Sequence, residues 1–330
     1  MRLWRIGRRL GPANVYPGAD RPDWQQADPR LIERAVAHAQ AKSGGGWYVL
    51  DASRAVTGEP RRYRVAGRDV VAWRARGRPL VAPDVCPHMG ASLACGRVDD
   101  GELVCPWHGL RLGPRGHGRW RPYPTHDDGV LVWARMAQDE TASDVPVLPR
   151  RPSLARSLAG VVRMEGACEP VDVIANRLDP WHGVHYHPHS FAALEMIEAR
   201  EDVMKLRVAY RVAGPVCVEV DCTFHCPDPR TIVMTIVDGD GAGSVVETHA
   251  TPVDEGRTAM IEATIASSDR RGFALARRAQ PLLRPFVEAR ARRLWREDLA
   301  YAERRYALRQ GRVTTQSEPY DQPAHAGTSP

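Results

Sequence analysis

The chain has 330 residues, 43% hydrophobic and 26% charged, with 46 Lys and Arg against 40 Asp and Glu for a net charge of +6. That length supports two domains with a substantial core, and no run of apolar residues is long enough to mark a membrane span. All the basic residues except Lys42 and Lys205 are arginines, scattered along the chain without stacking aromatics. This argues against nucleic acid and leaves a docking surface for an acidic redox partner as the better use of the surplus charge.

Residues 1–46 read as a leader. Its basic opening, MRLWRIGRRL, is followed by no apolar signal segment, so a cytoplasmic location is expected. The spacing in LIERAVAHAQ predicts a helix from Pro29 to Lys42, stopped by Gly44-Gly45-Gly46. From 47 to 136, short strand-like runs (WYVL, RRYRVAG, DVVAWRA, PLVAPDV, ELVCP, VLVWARM) are broken by Gly and Pro, as in a small antiparallel β domain. Residues 137–152 are polar and Pro-rich, a linker. In a second domain, 153–310, a helical or irregular stretch at about 172–199 is followed by longer alternating strands between 203 and 266. A long helical region then runs from about Asp269 to Arg309, interrupted by Pro281 and Pro285, and 311–330 lacks apolar content, as a disordered tail does. GDGAGS at 239–244 joins two strands and opens no helix, so it is a hairpin turn and not a dinucleotide loop. The fold class is α+β.

The cysteines are Cys86, Cys95, Cys105, Cys168, Cys217, Cys222 and Cys226, an odd number that points to metal ligands plus free thiols. Cys86-Pro-His88 and Cys105-Pro-Trp-His108 each pair one thiolate with one imidazole. Structural zinc sites use CxxC knuckles and HxxxH pairs, so this mixed spacing suits a [2Fe–2S] cluster with two Cys and two His better. Cys95 is expected to be a buried free thiol. In Cys222-Thr-Phe-His225-Cys226, strand alternation puts the two thiols on one face and the histidine on the other, so they read as core residues.

CPHMGASL and CPWHG, with Trp47 leading in and DDGVLVW closing, resemble a Rieske [2Fe–2S] domain over about 47–136. Ala91 and Trp107 stand where respiratory Rieske proteins carry a disulfide, so the chain is similar to the ferredoxin and oxygenase branch. The resemblance assigns Cys86, His88, Cys105 and His108 to the cluster.

Further on, Asn176-Arg-Leu-Asp179-Pro-Trp-His182-Gly-Val-His185-Tyr-His187 gives the order N-x2-D-x2-H-x4-H. Two imidazoles and one carboxylate make a facial triad that leaves three metal positions open. Taken alone, the segment could be a His-rich surface loop, since His185 and His189 lie there too. Together with the first motif it resembles the catalytic domain of Rieske non-haem iron oxygenases. That resemblance implies His182, His187 and Asp298 as ligands of a mononuclear Fe(II), with Glu297 the rival to Asp298 and a solvated charged helix the bland alternative. It also implies a helix-grip domain, a curved antiparallel sheet around a long C-terminal helix. Asp179 would bridge the Rieske domain of one subunit to the iron site of the next, within a homotrimer.

The function expected is an oxygenase that takes electrons from a separate NAD(P)H-dependent reductase or ferredoxin. It would use O2 to hydroxylate, desaturate or demethylate an apolar small molecule. The alternative is a Rieske ferredoxin-like electron carrier without a catalytic iron; a third possibility is a ligand-binding protein using the sheet-and-helix cavity.

Overall fold

The computed structural model describes residues 23–313 apart from 138–139, 214–215 and 271; the basic opening and most of the expected tail lie outside the described residues. Helices α1 (Asp23–Gln26) and α2 (Pro29–Gln40) lead into nine short strands: β1 (Trp47–Ala52), β2 (Arg61–Val65), β3 (Arg68–Ala75), β4 (Arg78–Pro83), β5 (Arg97–Asp99), β6 (Glu102–Val104), β7 (Arg111–Leu112), β8 (Thr125–Asp127) and β9 (Leu131–Arg135). They form three small antiparallel sheets, ordered β1-β9-β8, β2-β3-β4 and β5-β6-β7.

The rest of the chain begins with β10 (Leu158–Gly166), α3 (Pro170–Arg177) and α4 (His182–Tyr186). Strands β11 (Phe191–Ala199), β12 (Val203–Ala213), β13 (Val216–Asp228), β14 (Thr231–Gly239), β15 (Val245–Asp254) and β16 (Arg257–Ala266) follow, then α5 (Phe273–Arg278) and the 30-residue α6 (Gln280–Arg309). One seven-stranded antiparallel sheet results, ordered β10-β16-β15-β14-β13-β12-β11.

Period-two alternation explains how this sheet holds both halves of the molecule. Val162 and Met260 face one way and pack with Trp295, Leu299 and Ala302 of α6. Val161 and Ile261, one residue along, face the other way and pack with Trp47, Leu131 and Trp133 of the first small sheet. Helix α2 also joins the large sheet: Ala35, Val36 and Ala39 pack with Ile174, Leu178 and Phe224. Its start is fixed by Asp28, whose side chain accepts from the Arg30 N–H, with Pro29 in the first turn.

Four local features differ from the expectations. The helical or irregular stretch placed at 172–199 ends in a strand, β11. FAALEMIEA favours helix by propensity, but Ala192 and Leu194 turn to the core and the segment pairs with β12 through two bulges. Strand β10 was not anticipated; it closes the sheet by pairing with β16. The expected helical region is interrupted once, at Ala279 between α5 and α6, with Pro281 in the first turn of α6; Pro285 does not break that helix and is carried inside it. Cys95 is exposed, because the short turn 93–95 directs Leu93 inward instead.

Candidate metal centres

Cys86 and Cys105 start two loops built on one backbone plan. In each, the N–H of a glycine four residues on donates to the cysteine carbonyl (Gly90 to Cys86, 2.8 Å; Gly109 to Cys105, 3.0 Å). In each, the cysteine N–H donates to the carbonyl five residues on (Ala91, 2.8 Å; Leu110, 2.9 Å). Both glycines have left-handed backbones, φ +82° and +73°, which L side chains rarely adopt. The plan tolerates histidine at the third position of one loop and the fourth of the other.

Both thiols are buried in a cluster with Val71, Trp73, Leu93, Leu103 and Leu112, while His88 and His108 are exposed. The imidazole Nδ1 atoms face each other at 3.2 Å. The two sulfurs interact: burial pushes the Cys86 thiol up, whereas for Cys105 the N–H groups of Trp107 and His108, together with Cys86, outweigh burial and draw it down. A single tetrahedral zinc would need all four donors within about 4 Å of one another. Among the described residues, the one group of three or more His, Cys, Asp or Glu donors within 4.8 Å of each other lies elsewhere. The four donors here fall into a sulfur pair and a nitrogen pair, the division a [2Fe–2S] cluster with two Cys on one iron and two His on the other requires.

The group of three is His182, His187 and Asp298. Five residues apart on a straight helix, the two histidines would point about 140° apart. Helix α4 ends at Tyr186, and His187 leaves it with φ −121° and ψ 54°, its N–H held by the Gly183 carbonyl at 2.9 Å. That turn brings the rings to 5.2 Å between centroids. Asp298, 1% exposed on α6, places Oδ1 3.1 Å from His182 Nε2 and 2.9 Å from His187 Nε2. Burial opposes its charge, but the two imidazoles hold its carboxyl well below the usual carboxylate range.

The outer ring nitrogens are also fixed. His182 Nδ1 meets the Asp179 carbonyl, and His187 Nδ1 meets Glu297 Oε2 at 2.5 Å. Such anchoring sets tautomer and ring direction, leaving Nε2 to bind metal. Asp298 therefore contributes to the convergent group, and Glu297 backs His187. Asn176 donates to Asp298 Oδ1 at 3.0 Å. Asn176 is held over α6 because Asp172 of α3, fully buried, accepts from Arg305 (2.5 Å) and Arg309 (2.9 Å).

Asp179 is buried beside His182; Tyr301 donates to its Oδ2 at 3.0 Å, and its Oδ1 has no partner among the described residues. His185 is exposed, and His189 lies half-buried 3.8 Å from Glu297, outside the convergent group. Cys222 and Cys226 are core thiols, each pushed up to about 12 by burial, with His225 on the opposite face.

A cavity of about 40 Å³ opens beside the three donors, walled by Phe191, Leu194, Leu206, Val208, Tyr210 and Met234. Arg177 lines it too; nothing in the sequence had singled that residue out.

Residues 137–313 match the model of a domain of unknown function, DUF5914, and residues 46–141 match the Rieske [2Fe-2S] domain. The chain belongs to the DUF5914 family and carries a Rieske [2Fe-2S] domain. Among curated proteins, this family member is 39% identical over 92 residues to aminopyrrolnitrin oxygenase PrnD of Pseudomonas fluorescens, covering 28% of this chain and 25% of that protein. It is 26% identical over 175 residues to the vanillate O-demethylase oxygenase subunit of Pseudomonas sp. (strain HR199 / DSM 7063), covering 46% and 47%. The chain thus spans about half or less of the length of these two relatives. The dicamba monooxygenase crystal structure with bound dicamba shares the fold, with a TM-score of 0.60 at 18% identity over 83% of this chain and 92% of that one.

Proposed function

We propose that this protein is an oxygenase component in which Cys86, Cys105, His88 and His108 hold the [2Fe–2S] cluster and His182, His187 and Asp298 hold a mononuclear iron. The observation that carries the reading is the convergence of two imidazole Nε2 atoms and one buried carboxylate beside an apolar cavity. The mononuclear iron would supply O2 activation for hydroxylation, desaturation or demethylation, using electrons relayed by the cluster. The apolar side of the cavity wall would face an apolar small molecule. Glu297 and the Asp179 carbonyl keep both imidazoles turned toward the metal position. Asn176 fixes the carboxylate of Asp298.

The chain carries no flavin or nicotinamide motif, so a separate NAD(P)H-dependent reductase, or a ferredoxin, would supply the electrons in the cytoplasm. No helix among the described residues is long and apolar enough to cross a membrane. His88 and His108 are exposed, and Asp179 has a buried oxygen without a partner among the described residues. Both features suit a homotrimer in which Asp179 meets His108 of a neighbouring copy beside His182.

Iron per chain in anaerobically reconstituted protein tests the proposal. We expect about three irons in the wild type and about two in His182→Ala and Asp298→Ala, with the visible absorption of the cluster retained in both. Two irons in all three proteins would leave an electron carrier.

A further inference from the structure

Helices α5 and α6 turn an apolar and basic face to solvent. Leu275, Leu282 and Phe286 are 70%, 74% and 75% exposed, the three most exposed large apolar side chains among the described residues. Singly exposed apolar residues are ordinary, but these three fall within one short stretch of helix. On α6, Leu282, Phe286, Ala289 and Arg293 are all exposed, and their i, i+4, i+7, i+11 spacing puts them on one strip. The buried Glu288, Trp295 and Asp298 lie on the opposite side.

Charge is as one-sided as exposure. Residues 273–296 contain seven arginines and a single acid, Glu288. Glu288 points inward, where it pairs with Arg54 and accepts from the Val161 N–H at 3.2 Å. Arg278, Arg292, Arg293 and Arg296 are exposed, while Arg277 and Arg284 donate to the carbonyls of Ala155 and Ala159 beside the helices. The outward surface of the segment thus combines apolar side chains with guanidinium groups and has no carboxylate of its own.

Two copies of this face meeting each other would set arginine against arginine, which like-charge repulsion disfavours. A bilayer with anionic headgroups answers both components. Its phosphate oxygens take guanidinium forks in bidentate pairs, and its negative potential draws each arginine. Leucine and phenylalanine enter the boundary between headgroups and acyl chains. We propose that the α5–α6 face docks this protein on an anionic phospholipid membrane, lying on the surface without crossing it. Asp298 follows Phe286 on the same helix by about three turns, so docking brings the candidate metal centre close to the bilayer. The inference stands apart from the oxygenase reading, because the face uses none of the donors assigned to iron or cluster.

The test is co-sedimentation of the reconstituted holoprotein with vesicles of phosphatidylcholine, alone or with about 30% phosphatidylglycerol. The wild type should bind the anionic vesicles about tenfold or more tighter than the neutral ones, and less tightly as salt rises to about 0.5 M. Leu282→Ser with Phe286→Ser should weaken binding about tenfold or more, as should Arg278→Gln with Arg292→Gln and Arg293→Gln. Arg97→Gln with Arg115→Gln and Arg119→Gln removes the same charge from exposed positions of the first domain, and should stay within about twofold of the wild type. Circular dichroism checks that each variant is folded; if the serine pair is not, the α5–α6 arginine set decides. A wild type indifferent to anionic vesicles would overturn the inference, and so would undiminished binding in the α5–α6 variants. An oligomer that dissociates in the serine pair, with no vesicle binding by the wild type, would make the face a seam between copies instead.

Discussion

His88 and His108 stand exposed at the tips of two loops, whereas His187 and Asp298, the latter on α6, are each 1% exposed. The first set is organised locally: each loop closes on its own cysteine through two backbone hydrogen bonds, and the glycines make that closure sterically free. The second set draws on α3, α4 and α6, and its carboxylate comes from more than a hundred residues downstream of its histidines. A group that must exchange electrons with another protein gains from exposure. A site that must keep water from a reactive metal gains from burial. Local geometry should therefore survive damage to the global fold better at the loops than at the triad.

The largest expected effect separates the two sites. Cys105→Ala should abolish the visible absorption of the cluster yet leave about one iron per chain at His182, His187 and Asp298, because that site is built by α3, α4 and α6 and not by the loops. Metal analysis with absorption spectroscopy checks this, and loss of all iron would mean the sites are not independent.

Next comes the contact that ties the two halves. Arg151 pairs with Asp128 at 2.9 Å and with Glu247 at 2.5 Å, and all three side chains are 10% exposed or less. Removing the cation leaves two buried carboxylates with only His249 and neutral N–H donors, so Arg151→Met should cost about 3 kcal/mol in denaturant unfolding. The pH dependence has a definite sign. Burial alone would raise Asp128 and Glu247, but Arg151 outweighs it and holds both below their ordinary values. Their contribution is complete above the unfolded carboxylate range of about 4 and is lost as pH falls through the lower folded values. Arg151→Met should thus cost most at neutral pH, with the gap from the wild type narrowing as pH falls below about 4; a gap that does not change with pH would count against this tie.

A smaller effect falls on the triad alone. Asp172→Ala unclamps α3 from α6 by freeing Arg305 and Arg309, which are themselves part-exposed, and should cost about 2–3 kcal/mol. It should also weaken retention of the mononuclear iron against a chelator without changing the cluster spectrum. Tyr301→Phe removes a single hydrogen bond to Asp179 and should cost only about 1 kcal/mol.

The same contrast explains what was legible in the sequence. CPH and CPWH are short-range patterns whose loops need only adjacent residues, so four side chains could be named without a fold. The order N-x2-D-x2-H-x4-H pointed to the neighbourhood where donors converge, but not to how His187 leaves the helix to meet His182; that turn is a backbone event at one residue. Choosing between Glu297 and Asp298 required knowing which face of α6 looks at α4. Strand β11 was hidden because Ala, Leu, Glu and Met favour helix, and only pairing with β12 overrides them. Arg177 was hidden in another way: one arginine among many carries no signal until it proves to line the cavity against two aromatic rings.

The reading proposed above requires a Cys/His-divided cluster and a separate third iron in one chain. Mössbauer spectroscopy of 57Fe-reconstituted protein addresses it most directly. Three iron components of equal area are expected, two from unlike cluster irons with sulfur-rich and nitrogen-containing ligand sets and one from a high-spin ferrous site that alone disappears in Asp298→Ala. Two equivalent all-sulfur irons, or a cluster signal that disappears with Asp298, would contradict it.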